Sequence, residues 1–268
     1  MPWKQITDIT IAVGGAIKPR SPSHWSKDLK NCTSVRDLMI FGEPPKYNTD
    51  IRMPSVQEFR CGPYAKRWFA CLTLPALRAL GILGKALPDI PGLIRHSGCQ
   101  LNALTIDISP LRGWDDSTVS NFRAIVPHLP HLEFLELSLW EDTPTPRVGP
   151  HLVRLLDPVA NANAFPLLKE FCLSLSHIND VDGETEAMMR TALTVTESVL
   201  RPTMKRASIS LNNLRKGMDS LKAEVVTGAA EFVKLQARAR TEGVLTKVHF
   251  LVRLGRNDHH VLVDSYVN

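Results

Sequence analysis

The sequence predicts an α/β repeat fold in which short parallel strands lie on one face and helix-bearing returns on the other. Three observations predict it: a recurring apolar motif, an aliphatic composition, and helix-start and helix-stop signals between copies of the motif. Of the 268 residues, 44% are hydrophobic and only 6% aromatic. That is enough apolar material for a large core, and it must be packed mainly by aliphatic side chains.

The motif reads apolar-Pro-x-apolar-x-x-apolar-x-apolar. Four segments match it: Met53 to Cys61, Leu74 to Ile82, Leu129 to Leu137 and Phe165 to Leu173. Roughly one such match is expected by chance at this composition, so four mark a repeat. Without the proline, the apolar core x1-x-x-x4-x-x6 also appears at Ile6/Ile9/Ile11, Val35/Leu38/Ile40, Leu101/Leu104/Ile106, Met204/Ala207/Ile209 and Leu245/Val248/Phe250. Successive cores begin 29, 21, 21, 24, 31, 36, 36 and 41 residues apart.

Positions 4 and 6 of each core alternate as in a strand and point inward, while positions 3, 5 and 7 point outward. Proline at the start cannot donate a hydrogen bond and disfavours helix in the residue before it, so each unit restarts after its return. No unit can bury its own apolar face, so stability must come from stacking. The fold class expected is a leucine-rich-repeat solenoid, a horseshoe with a parallel concave sheet and irregular convex helices.

The returns carry the helices. Asp89 precedes Ile90 to His96, which ends at Ser97-Gly98, a C-terminal stop. Asp115-Asp116-Ser117 starts a segment running to about Pro127, and Gly149 to Val159 and Glu184 to Leu200 are further helical stretches. The 21-residue intervals leave room only for an extended or 3₁₀ return. From Leu214 an apolar stripe through Met218, Leu221, Val225, Gly228, Phe232, Leu235 and Ala239 predicts one long helix capping the repeats. Val248/Phe250/Val252 and Val261/Val263 around Leu254 to Asp258 predict a hairpin. The domain organisation expected is repeats over 1–212, then a continuous cap over 213–268.

Segments such as LTLPALRALGILG, LIRHSGCQLNALTIDIS, LPHLEFLELS and FPLLKEFCLSLS resemble the leucine-rich-repeat portions of F-box-type proteins numerous in mushroom-forming fungi. The likeness spans roughly residues 30 to 212. In that family an N-terminal F-box docks on an adaptor of a cullin-based ubiquitin ligase and the repeats present a substrate. The resemblance therefore implies a protein-interaction module, the substrate-recognition part of a ligase receptor. The F-box itself is not expected here, because Ile6 to Val13 already reads as a repeat strand. An adaptor partner follows only if an F-box is supplied elsewhere.

The outward positions form the candidate partner-binding face: Asp37, Met39, Phe41, Glu58, Arg60, Leu83, Asp107, Phe134, Glu136, Glu170, Arg206 and Lys247. Asp8, Thr10, Thr105, Cys172, Ser208 and His249 fall on the same positions. Met39, Phe41, Leu83 and Phe134 are the apolar anchors, since such side chains dominate binding once a partner excludes water. Acidic character up to Glu170 gives way to Arg206 and Lys247, which suits an extended partner of complementary polarity.

Charge and chemistry narrow the alternatives. The net charge of +5 is concentrated late: residues 201–268 hold 12 Lys/Arg against 6 Asp/Glu, leaving 20 against 21 before them. A nucleic-acid-associated protein using that basic third is the alternative reading, together with a scaffold that has no ligase role. Gly81 to Lys85 lacks phosphate-loop spacing, and His128, His131 and Glu133 straddle a helix end and a strand start, poor geometry for a metal. His259-His260 point to opposite faces of a strand. No nucleophile elbow, zinc-protease or dinucleotide motif is present, so no catalytic residue, metal or cofactor is expected. The five cysteines form no Cys-x-x-Cys pair, which implies a reducing compartment and packing roles for Cys61, Cys99 and Cys172. The run Ile9 to Val13 is too short for a signal peptide or membrane span, so a cytoplasmic or nuclear protein is expected.

Overall fold

Every described repeat core ends in a strand, and six of the strand starts share one pattern of hydrogen bonds. The carbonyl of the second residue of one core accepts the N–H of the second and third residues of the next. Thus Thr7 O accepts from Arg36 and Asp37, Arg36 O from Gln57 and Glu58, Gln57 O from Arg78 and Ala79, and Arg78 O from Asn102 and Ala103. Glu133 O likewise serves Lys169 and Glu170, and Lys169 O serves Lys205 and Arg206. These copies of the sequence motif are therefore copies in space, bonded position to position, whereas the copy at Leu245 is displaced by two residues, Leu245 N–H bonding Lys205 O.

The structure is a computed structural model and describes residues 5–11, 28–44, 50–108, 116–140, 153, 156, 164–176, 184–214, 230–254 and 257–258. The fold is α/β with parallel sheet. The chain divides into two compact units, residues 1–106 with 124–131, and residues 107–123 with 132–268.

In the first unit, β1 (Asp8–Ile11), β2 (Asp37–Ile40), β4 (Glu58–Cys61) and β6 (Ala79–Leu83) pair in parallel and without slippage. Leu38 stands opposite Phe59, and Phe59 opposite Leu80; Ile40, Cys61 and Ile82 form the next row. A constant register in steps of two puts every apolar core residue on one face. Val35, Leu38, Ile40, Val56, Phe59, Leu77, Leu80 and Ile82 are accordingly buried to 2% exposure or less. A second parallel pair, β3 (Ile51–Arg52) with β5 (Leu72–Thr73), lines the return side.

Two helices cover this layer, α1 (Ala65–Cys71) and α2 (Ile90–Ser97). The first corrects the expectation that a 21-residue interval has no room for a helix. Seven residues fit because helix rises only about 1.5 Å per residue, so the segment stays short. Trp68 and Phe69 of α1 are buried, the Trp68 indole donates to Gly42 O at 2.8 Å, and Phe69 meets Phe59 edge-on at 6.2 Å. The second helix follows a 3₁₀ turn over Gly84–Asp89 and stops at Gly98, whose φ of 66° is left-handed. Both boundaries match the expectation at Asp89 and Gly98. The Asp89 side chain, however, makes no capping hydrogen bond.

The strand β7 (Ala103–Ile108) and the helix α3 (Asp116–Ile125), with a 3₁₀ turn at Val126–His128, come next in the chain. In the second unit, β8 (Phe134–Trp140), β9 (Glu170–Ser176), β10 (Arg206–Leu214) and β11 (Leu245–Leu254) are parallel, and β12 (Asn257–Asp258) returns antiparallel on Arg253 and Leu254. Leu135, Phe171 and Ala207 form one buried row, and Leu137, Leu173 and Ile209 the next. The helices are α4 (Glu184–Val199) and α5 (Ala230–Glu242).

The expected long C-terminal helix is corrected at its start, because Leu214 closes strand β10. A helix is present over Ala230–Glu242 with Leu235 and Ala239 of the predicted stripe buried, and Met218, Leu221, Val225 and Gly228 lie outside the described residues. The hairpin over Leu254 to Asp258 is present at its base, whereas Val261 and Val263 lie outside the described residues. So does most of the predicted helix over 149–159, of which Val153 and Leu156 are described as helical.

Proline in the motif has a further role. Leu74 O accepts from Leu77 N–H at 3.1 Å and Phe165 O from Leu168 N–H at 3.0 Å, so the motif proline, Pro75 or Pro166, is second in a four-residue turn. Its φ suits that position. The same turn joins Arg201 O to Met204 N–H at 2.9 Å, with Pro202 in the same place.

Candidate functional site

The outward positions gather on one side of each sheet because their neighbours on the same strand point into the core. In the first unit, position 3 forms the row Asp8, Asp37, Glu58 and Ala79, and position 5 the row Thr10, Met39, Arg60 and Gly81. Asp37 and Arg60 are exposed, Met39, Glu58 and Leu83 half-buried, and Phe41 is 47% exposed. Neighbouring strands about 4.8 Å apart bring these six within reach of a single ligand.

Two glycines shape this face, and sequence pattern alone does not reveal them. A Cβ on Gly62 would lie 3.0 Å from Phe41 Cδ1, and one on Gly81 would lie 3.0 Å from Arg60 Cγ. Phe41 and Arg60 thus lie across the neighbouring strand in space that another residue would fill. Arg60 Nε also donates to Glu58 Oε1 at 2.8 Å.

The acidic row is electrostatically tense. The Asp37 carboxyl is pushed up by its hydrogen bond with Asp8, by burial and by the charges of Asp8 and Glu58, with Arg36 opposing. The Asp8 carboxyl is lowered, first by the Thr7 hydroxyl at 2.7 Å and then by Asp37. Two acids meeting across a strand pair share a proton more readily than they ionise together.

In the second unit, Phe134, Glu170 and Arg206 form the position 3 row and Glu136, Cys172 and Ser208 the position 5 row; Leu245 and Lys247, expected at positions 1 and 3 of their copy, stand opposite Arg206 and Ser208, so the last copy is displaced by two residues and keeps the same face outward. Phe134, Glu136 and Glu170 are half-buried and Arg206 is exposed, while Lys247 is placed on β11 with its side chain outside the described residues. Asp107 is a half-buried residue of β7. The change of sign expected after Glu170 falls inside one cross-strand contact, Arg206 Nη1 to Glu170 Oε2 at 3.7 Å. Lys169 and Glu133 also pair, at 2.7 Å. These exposed pairs neutralise one another locally and add little stability.

No protein-family model matches the chain, and no curated protein matches it.

A carboxylate, a hydroxyl and an imidazole meet where Thr73 Oγ1 donates to Asp50 Oδ1 at 3.0 Å and lies 2.9 Å from His96 Nε2. With the hydroxyl proton directed at Asp50, His96 must donate to Thr73, which is the wrong direction for a base activating a nucleophile. Ser97 Oγ accepts from Leu74 N–H at 3.0 Å beside it, so this cluster ties the end of α2 to β5. Among the described residues no His/Cys/Asp/Glu group is arranged to hold a metal ion, and no helix is long and apolar enough to cross a membrane. Burial pushes the Cys61 thiol up to about 12 and raises those of Cys99 and Cys172, so the reactive thiolate is disfavoured at all three.

Proposed function

We propose that the chain is a leucine-rich-repeat module that binds another protein on the outward face of its parallel strands. The observation that carries this reading is the constant strand register. It turns positions 3 and 5 into straight rows and leaves Phe41, Met39 and Arg60 on a rigid surface backed by buried aliphatic rows. A side chain held by its neighbours loses little entropy on binding, which is how an aromatic anchor becomes a dominant contact.

Joined to an F-box elsewhere, such a module serves as the substrate-recognition part of a ubiquitin ligase receptor, in a cytoplasmic or nuclear setting. Support for this finer reading is the motif resemblance. The chemistry asked of the surface is binding, with no catalytic group, cofactor or metal assigned to it.

The test is partner capture by the full chain against a variant carrying Phe41→Ala and Phe134→Ala. The module reading expects capture to be lost while the melting temperature holds, and the ligase reading expects cullin-adaptor subunits among the captured proteins only when an F-box is supplied. Capture that persists in the variant would overturn the assigned surface. Steep salt dependence of binding to nonspecific DNA or RNA, with no protein captured, would favour the nucleic-acid alternative.

A further inference from the structure

We propose that the outward face of the first unit seats an extended partner segment bearing a lysine or arginine, with its cation over Asp8 and Asp37 and an apolar side chain beside Met39 and Phe41. This rests on the interaction-module reading and names the partner chemistry for it.

The free surface is built at a cost. Asp8 stands directly opposite Asp37, and Asp37 directly opposite Glu58. Like charges facing each other across strands destabilise a sheet. Glu58 is answered by Arg60 at 2.8 Å on its own strand, and Arg36 lies near Asp37. Asp8 and Asp37 instead face each other directly across the strand pair, an arrangement in which a bound cation relieves the repulsion. A guanidinium suits it best, since its planar fork can face two carboxyls at once.

Beside the acids lies an apolar group. Phe41 is a large hydrophobic side chain at 47% exposure, held against Gly62 with no room for another side chain beneath it. Phe41 N–H still bonds Ile11 O at 2.8 Å, so its backbone continues the ladder that carries the acids. Along a strand, Asp37 and Met39 are about 7 Å apart and Asp37 and Phe41 about 13 Å. An extended peptide rises by the same amount per residue, so its cation and its apolar group should be about two or about four residues apart. Charge complementarity selects this occupant: polyanions such as nucleic acid or an acidic membrane are repelled by the carboxyl row.

The experiment uses the full chain and short synthetic peptides in which one position is Arg, Gln or Glu and the residue about two or about four along is Leu or Ser. Fluorescence anisotropy should rank Arg with Leu first, and the Asp8→Asn, Asp37→Asn double variant should bind that peptide about tenfold more weakly without a lower melting temperature. Phe41→Ala should weaken the Leu peptide and leave the Ser peptide unchanged. Equal binding of Arg, Gln and Glu peptides, or undiminished binding by the double variant, overturns the proposal. A dimer dissolved by the Asn substitutions would assign the face to a second copy and also overturn it. If the Asn variants bind normally while Phe134→Ala does not, the module reading stands and this inference falls.

Discussion

Arg201 donates from Nη1 to the carbonyl of Phe165 at 2.9 Å, and Phe165 is a non-glycine residue held at a φ of 50°. Such a conformation costs about 1–3 kcal/mol and persists only where its surroundings enforce it. The same guanidinium bonds Ala164 O at 2.6 Å, Leu156 O at 3.1 Å and Val199 O at 3.2 Å, while Phe165 is fully buried against Phe122. Arg201→Met should therefore strand several carbonyls and destabilise the chain by about 3 kcal/mol in urea denaturation. Arg201→Lys should not recover it, because an ammonium lacks the fork. A loss below about 1 kcal/mol would show that the clamp is incidental.

Two phenylalanines, Phe59 within β4 and Phe41 just after β2, should respond in opposite ways. Phe59 is fully buried between Leu38 and Leu80, so Phe59→Ala should cost about 3–5 kcal/mol through lost transfer energy and a cavity. Phe41→Ala should cost less than about 1 kcal/mol, since nearly half the ring is already in water. Comparable losses by chemical denaturation would mean that the inward and outward faces have been misassigned.

The glycine seats predict an asymmetry. Gly81→Ala meets only the flexible Arg60 stem, so stability should stay within about 1 kcal/mol of the parent. Gly62→Ala meets Phe41 Cδ1 at 3.0 Å and Phe41 Cα at 3.4 Å, and the backbone cannot step aside as a side-chain end can. It should cost about 1–2 kcal/mol and displace Phe41, weakening partner binding as Phe41→Ala does. Thermal melts of the pair settle the order.

The acid pair sets a pH dependence. Because Asp37 is raised from 3.8 in the folded chain, its proton is bound more tightly there than in the unfolded one. Its contribution is full below the ordinary value and is lost as pH rises through the raised one. Asp8, lowered by Thr7 and Asp37, works in the opposite sense, gaining as it ionises. Asp37→Asn keeps that position neutral at every pH, so the variant should match the parent in acid and melt higher near neutrality. A variant that melts lower at neutral pH would show that the ionised Asp37 is a stabilising group.

Much of the strand layer was legible because a strand repeats every two residues and an inward position must be apolar. Val35/Leu38/Ile40 and Leu132/Leu135/Leu137 announce themselves on that ground, and Gly98 marks the end of α2 because a left-handed residue is needed there. Helix lengths were less legible. Ala65–Cys71 hides in a short interval, and Leu214 fits a helical stripe equally well when its strand neighbours are unknown. Arg201 was missed for a chemical reason: it occupies the place that Leu74 and Phe165 hold in other copies, and an apolar template excludes it. Pro202 was the available signal, since it keeps the turn after the apolar residue has gone.

By itself, the order of residues determined which side chains turn inward on each strand, because water sorts apolar from polar at a period the backbone imposes. Only the tertiary structure decided which outward residues become neighbours. The Asp8–Asp37 pair, the Arg206–Glu170 contact and the seat of Phe41 on Gly62 each join positions far apart in the chain, and no local preference encodes such meetings.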